Sequence, residues 1–284
     1  MIELNDKYSI QINRASSKGN QLKWFDGFFW YKADNNGYEG LSEYVVSQLL
    51  KKSSLKETEF VEYQLEQIKY KSQIFNGCKS NNFLKPKSQI ITIQRLFDSM
   101  SPVSLNDVLD EIVNGKNKVK YLVDNVVSFT GLVDFGEYLY KLYVIDALFL
   151  NEDRHTHNIA VIKNEDDSFD YCPIFDNGAC LLSDTKVDYP YSENSLDLIQ
   201  QVKPKIFNCS FINVVDCLQD LYATNISFNF NDDDIDSLIN SIKVYDENTK
   251  KRVKQILKYQ RNKLSYFFEW LFFNCIFFSY KINI

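Results

Sequence analysis

Asp153, Asn158 and Asp176 are the residues of this 284-residue sequence whose types and spacing could carry chemistry. They fall in two short runs, Asn151-Glu152-Asp153-Arg154-His155-Thr156-His157-Asn158 and Pro173-Ile174-Phe175-Asp176-Asn177-Gly178. Transfer of a phosphoryl group needs a carboxylate to orient or deprotonate the attacking hydroxyl, and hard oxygen ligands to hold Mg²⁺ against nucleotide phosphates. Asp153 suits the first task. Asn158 can offer an amide oxygen to the metal and Asp176 a carboxylate. Each alone would pass for a solvated loop residue or a helix cap; the joint spacing carries the reading.

The elements around these runs must bring them together. From Asp134 to Leu150 the spacing of Phe135, Leu139, Leu142, Ile145 and Phe149 predicts a buried helix that ends at the first run. Ile159 to Ile162 and Phe169 to Ile174 predict two short strands joined through the polar cluster Asn164 to Asp167, a hairpin that returns Asp176 towards Asn158. Upstream, residues 1–100 alternate aromatic and β-branched runs with turn residues around one helix, Ser42 to Leu50. Asp26-Gly27 predicts a two-residue turn between Gln21–Phe25 and Phe28–Lys32. A second helix is expected over Ser104 to Val113, and mostly helix from there to about residue 265, so the boundary falls near residue 100.

The two runs resemble those of HipA-like protein kinases. The resemblance extends to Trp24–Asp34, similar to that family's hairpin ending in an ATP-binding lysine, here Lys32, and to Ser42-Glu43-Tyr44 at the start of the following helix. Gln94-Arg95-Leu96-Phe97-Asp98 is similar to the family's hinge. The resemblance implies an α+β, two-lobed protein-kinase-like fold, with a small β-rich N-lobe (1–100) and a larger helical C-lobe (101–284). It implies ATP and Mg²⁺ as cofactors, Asp153 as base, Asn158 and Asp176 as metal ligands, Lys32 pairing with nucleotide phosphates and Glu43, and backbone groups near Gln94 and Leu96 meeting adenine. The phosphate loop falls at Ala15–Asn20, with Ser16, Ser17, Lys18 and a single glycine, Gly19. Its serines read first as a plain turn, although such serines are autophosphorylated in some relatives.

Asp134-Phe135-Gly136 spells a kinase metal motif, but it precedes the first run, where no return strand could deliver its carboxylate. Asp134 with Glu137 reads instead as a capping box. The acidic run Asp232 to Asp236 lacks the glycine and terminal glutamate of a calcium loop and reads as a helix start. His155 and His157 lack a third ligand, and a structural role beside Asp153 is the better expectation.

Composition sets the remaining bounds. A net charge of −6 excludes a global basic field, so no nucleic-acid partner is expected. Six cysteines without a CxxC pair, and no recognisable leader, point to reduced thiols and a cytoplasmic setting. The expected partner is a protein substrate bearing Ser or Thr hydroxyls, with an antitoxin or regulator as the further partner the resemblance brings. The chain is short at its N-terminus for the extra subdomain of full-length HipA toxins, so toxin–antitoxin pairing and operator binding are not carried over. A phosphatidylinositol-kinase-like lipid kinase is the alternative, because lipid kinases write Asp-Arg-His-x-x-Asn in the same loop; an inactive ATP-binding module is the third reading. The aromatic tail from Leu264 to Ile284 follows a basic stretch, which raises peripheral membrane contact, but a helix packed on the large lobe is preferred.

Overall fold

A computed structural model describes residues 1–9, 21–207 and 209–268. Among these the chain forms, in order, β1 (Ile2–Leu4), β2 (Lys23–Phe25), β3 (Phe29–Ala33), α1 (Glu39–Leu50), β4 (Tyr63–Tyr70), β5 (Gln73–Asn81), β6 (Gln89–Thr92), α2 (Ile93–Met100), α3 (Leu105–Glu111), α4 (Gly115–Thr130), α5 (Phe135–Phe149), β7 (Ala160–Lys163), β8 (Phe169–Tyr171), α6 (Ser195–Ile199), α7 (Phe211–Tyr222), α8 (Asp232–Ser241) and α9 (Glu247–Lys263). The first sheet has the order β1-β4-β5-β3-β2, with β1 parallel to β4 and the other neighbours antiparallel. A second sheet, β6-β7-β8, is antiparallel throughout.

The β2–β3 hairpin forms where the sequence predicts it, but its turn is displaced by one residue. Lys23 pairs with Lys32 and Phe25 with Trp30, so Gly27 and Phe28 occupy the tip and Asp26 stands before it. The Asp26 carboxylate accepts the N–H groups of Phe28 and Phe29, both at 2.8 Å, while Gly27 takes the positive φ of 104°. An aspartate gains more by capping a turn than by sitting at its crest.

Helix α1 begins at Glu39, three residues before the expected Ser42, and crosses the sheet at very short range. A Cβ on Gly40 would lie 2.6 Å from the Gly77 Cα in β5, and one on Gly77 would lie 2.1 Å from the Lys32 carbonyl oxygen. Glycine at 40 permits the approach of the helix, and glycine at 77 the close pairing of β5 with β3. The apolar side of α1 (Leu41, Val45, Val46, Leu49 and Leu50) joins the main core together with α5 and α9, whereas the sheet has a separate small cluster of Leu4, Trp24, Tyr31, Ala33 and Ile68.

Helix α5 is the centre of the main core, with Phe135, Leu139, Leu142, Ile145 and Phe149 all buried. Its start differs from expectation: Asp134 caps no N–H with its side chain, and its own N–H donates to the Tyr171 hydroxyl at 2.9 Å. With ψ at 21° Asp134 lies outside the extended region that lets a cap carboxylate reach back, so no capping box forms. The acidic run behaves as read from sequence. It opens α8, with Asn231 and Asp234 forming a reciprocal capping box. Among the described residues no helix is long and apolar enough to cross a membrane. Most of the aromatic tail, 269–284, lies outside them.

Candidate active site

Lys32 lies on β3 and Glu43 one turn into α1, and the short glycine-mediated approach brings them within 2.5 Å through Nζ and Oε1. The Lys32 Nζ also donates to Asp176 Oδ1 at 2.7 Å, across 144 positions of sequence. Glu43 closes the arrangement by accepting the Asn177 N–H on Oε2 at 2.8 Å. Glu43 is 1% exposed on its side chain and Asp176 25%, so one carboxylate is structural and the other remains open to solvent. The Asp176 backbone adopts φ of 61°, a left-handed conformation uncommon outside glycine.

These charges are strongly coupled. Burial works against the ammonium of Lys32, yet Asp176 and Glu43 push its pKa well above the ordinary lysine value. Burial likewise opposes ionisation of Asp176, but Lys32, and secondarily Lys23, outweigh it and hold the carboxyl well below the usual range. For Glu43 burial wins over Lys32 and its pKa rises. Asp176 is therefore the charged, solvent-facing carboxylate that a divalent cation requires.

The run 151–158 and the Asp176 segment are joined by Arg154, which is 1% exposed. Its Nε and Nη2 bond the fully buried Asp146 carboxylate of α5, at 2.9 Å and 3.0 Å. Its Nη1 donates both to Asn158 O, at 3.0 Å, and to Phe175 O, at 2.8 Å, and its Nη2 reaches Asn177 Oδ1 at 3.0 Å. One planar guanidinium thus fixes the residue before Asp176, the residue after it and the carbonyl of Asn158. Asn151 adds a bond from Nδ2 to the Asp176 carbonyl at 3.3 Å.

Within the run, Asn158 Nδ2 donates to Asp153 O at 2.8 Å, which leaves Asn158 Oδ1 as the atom available to a cation. Asp153 is partly exposed, and its Oδ1 accepts a hydrogen bond from Lys205 Nζ. His155 Nδ1 accepts the His157 N–H at 3.2 Å, and His155 Nε2 lies 3.9 Å from Asp153 Oδ1. Burial lowers the His155 pKa despite Asp153, so the ring packs as a neutral neighbour of the carboxylate.

Among the described residues no group of three His, Cys, Asp or Glu side chains is arranged as a protein-only metal cage. Mg²⁺ does not need one: it keeps waters and takes one or two protein oxygens plus phosphates. Charged Asp176 and the free Oδ1 of Asn158 fit that donor set.

Two parts of the sequence reading end elsewhere. Gln94 and Leu96 lie in α2 rather than in an extended hinge. The Gln94 N–H is engaged by Thr156 O at 3.0 Å and its side chain by Thr156 and Asp98, so its backbone offers no N–H to adenine. Thr92 caps this helix and stops strand β6 there. The strand-to-strand passage between the sheets is instead 82–88, where Phe83 packs against Phe175 beside Val61, Tyr63 and Cys78, and with Leu84 against Ala160, Ile162 and Cys172. Ser16, Ser17, Lys18 and Gly19 lie outside the described residues. Sequence reasoning gave no role to Asp146, Arg154 or Lys205. Arg154 stood inside the recognised run, and Asp146 was an acid on a buried helix, a signal that a partner was needed; Lys205 had none.

A small lobe of curled sheet and one helix above a larger helical lobe, with this site between them, is a protein-kinase-like fold. Among solved structures the chain is similar to the Helicobacter pylori proinflammatory kinase CtkA, with a TM-score of 0.58 and 17% identity over 92% of this chain and 95% of that one. At that identity the likeness speaks for the fold. No family model matches the sequence. No curated protein matches it either.

Proposed function

We propose that this protein is an ATP- and Mg²⁺-dependent phosphotransferase of the HipA-like kind that phosphorylates Ser or Thr hydroxyls of a protein substrate. The observation that carries the reading is the Lys32–Glu43–Asp176 ion cluster, tied to the Asp153–Asn158 run through Arg154. Residues 1–100 serve as the nucleotide-binding lobe and 101–284 as the catalytic lobe. Lys32 steers nucleotide phosphates and is itself placed by Glu43. Asp176 and Asn158 hold Mg²⁺, which neutralises phosphate charge when bound. Asp153 orients the acceptor hydroxyl and takes its proton.

The carboxylate and amide oxygens come from segments that share one guanidinium, so their spacing is fixed before nucleotide arrives; such preorganisation is the main protein contribution in phosphoryl transfer. The test is incorporation of label from γ-labelled ATP by the purified full chain into protein and into phosphatidylinositol vesicles, with Mg²⁺ present and chelated. Mg²⁺-dependent labelling of protein is expected. Labelling of lipid alone would move the protein to the lipid kinases, and no nucleotide binding at all would reduce it to an inactive relative of the fold.

A further inference from the structure

Lys205 belongs to the loop between α6 and α7, yet its ammonium rests on the carboxylate of Asp153, 52 positions earlier. The placement does not depend on the ion pair alone. The Lys205 N–H donates to Glu152 O at 3.3 Å, and the Glu152 carboxylate accepts from the Tyr189 hydroxyl, so the backbone beside both residues is fastened to the catalytic run. The side chains of Lys205 and Asp153 are 37% and 17% exposed. A pair so open to water contributes only about 0–1 kcal/mol to stability. Holding the fold together is therefore a poor account of it.

Lys23 acts on Asp176 from the nucleotide side, and two other cations of the site are already committed. Lys32 is shared between Glu43 and Asp176 on the nucleotide side, and Arg154 has its donors on Asp146, Asn158, Phe175 and Asn177. His155 is driven towards its neutral form by burial. Among the described residues, Lys205 is the lysine whose ammonium bonds the Asp153 carboxylate.

Resting on the phosphotransferase reading above, we propose that Lys205 is a further catalytic residue, whose ammonium binds the phosphoryl group during its transfer. In that step an oxygen lone pair of the acceptor hydroxyl forms the new O–P bond as the bond from the γ-phosphorus to the bridging oxygen breaks. The bridging electron pair leaves on ADP, and the hydroxyl proton passes to the Asp153 carboxylate. Asp153 loses its charge at the moment when negative charge spreads over the equatorial oxygens of the phosphoryl group. Lys205, released by the first event, then meets the second. The exchange keeps one cation paired throughout and supplies a donor where charge develops.

The test compares wild type, Lys205→Met and Lys205→Arg as full chains. Calorimetry measures binding of Mg²⁺-ADP alone and of Mg²⁺-ADP with tetrafluoroaluminate, a mimic of the phosphoryl group in flight. Mg²⁺-ADP affinity should agree within about twofold among the three, since Lys205 meets neither adenine nor the inner phosphates. The extra affinity from tetrafluoroaluminate should fall about 10²-fold in Lys205→Met, the loss typical of removing one such donor, and return in part in Lys205→Arg. Hydrolysis of ATP, with water as acceptor, should show a lower kcat and an unchanged KM for ATP in Lys205→Met. An enhancement equal to wild type in Lys205→Met overturns the proposal, as does the lack of any enhancement in wild type. Faster turnover in Lys205→Met would make the lysine a brake on Asp153 and overturn it too. Failure of wild type to bind Mg²⁺-ADP would sink the phosphotransferase reading itself, an outcome distinct from all of these.

Discussion

Replacing Arg154 by Met keeps the aliphatic length of the side chain and removes its charge and all its donors. Three hydrogen bonds to Asp146 disappear, with one each to Asn158 O, Phe175 O and Asn177 Oδ1. The dominant loss is at Asp146, whose side chain is 0% exposed and keeps no countercharge. Breaking a buried pair from one side costs about 3–5 kcal/mol, whatever the pair itself contributes against an apolar substitute. Against a typical total stability of about 5–15 kcal/mol that is a large fraction. With a urea slope of about 2–3 kcal/mol/M, the unfolding midpoint should fall by about 1–2.5 M. The loss should also depend on pH. Burial already raises the Asp146 pKa against the pull of Arg154, and removing the arginine raises it further. A folded-state pKa above the unfolded one means a penalty that is present at neutral pH and relieved as pH falls through the folded value. The gap between wild type and variant should therefore narrow as pH falls from neutrality. The double variant Asp146→Leu with Arg154→Met removes the stranded charge and should regain part of the loss. A loss under about 1 kcal/mol, or a double variant no more stable than Arg154→Met, would refute the argument.

The other expectations concern chemistry and pH. Asp153→Asn should lower phosphotransfer about 10²–10⁴-fold in single-turnover labelling while leaving nucleotide affinity in calorimetry nearly unchanged; undiminished transfer would remove Asp153 from the base role. Asp176→Ala and Asn158→Ala should each abolish productive use of Mg²⁺-ATP, and a Mg²⁺ titration of turnover like that of wild type would take them out of the metal site. Burial pushes the Asp34 carboxyl up to about 7, where it accepts the Gly40 N–H and the Tyr245 hydroxyl. Between about pH 4 and that value the folded chain holds a proton the unfolded chain has lost, so stability falls as pH rises across the window and levels off above it. Asp34→Asn should flatten that slope in urea titrations at a series of pH values; an unchanged slope would reassign it to other groups.

Local signals were legible in the sequence, and contacts between distant segments were not. The apolar stripe of α5, the hairpin holding Lys32 and the acid-capped start of α8 each depend on residues within a turn or two of each other, so their patterns could be read directly. The joining of Lys32 to Asp176 was reachable through the resemblance, because two motifs with fixed roles imply a meeting point. Thr92 shows the opposite case. Its hydroxyl caps α2 at the Arg95 N–H, an ordinary local signal that the likeness to a hinge overrode. Lys205 left no trace, since a lysine on a loop looks alike whether it faces water or a carboxylate. The turn at Asp26 missed by one residue because aspartate before a turn and aspartate within it have the same letters.

The way α1 is packed decides which part of the small lobe is able to move. Its apolar side is embedded with α5 and α9, so swinging it away would expose Leu41, Val45, Val46, Leu49 and Leu50 at about 1.5–3 kcal/mol for each side chain. The sheet, with its own small cluster, meets the helix backbone against backbone at Gly40 and Gly77, and further along the Ser47 hydroxyl accepts the Tyr63 N–H while the Gln48 amide donates to the Tyr63 carbonyl. Mechanically the helix is a fixed rail and the sheet a cover pinned to it at Lys32 and Tyr63. Under the proposed function, opening for nucleotide exchange breaks the Lys32 contacts to Glu43 and Asp176 together with the Ser47 and Gln48 bonds to Tyr63, and the charged share of that resistance should follow ionic strength.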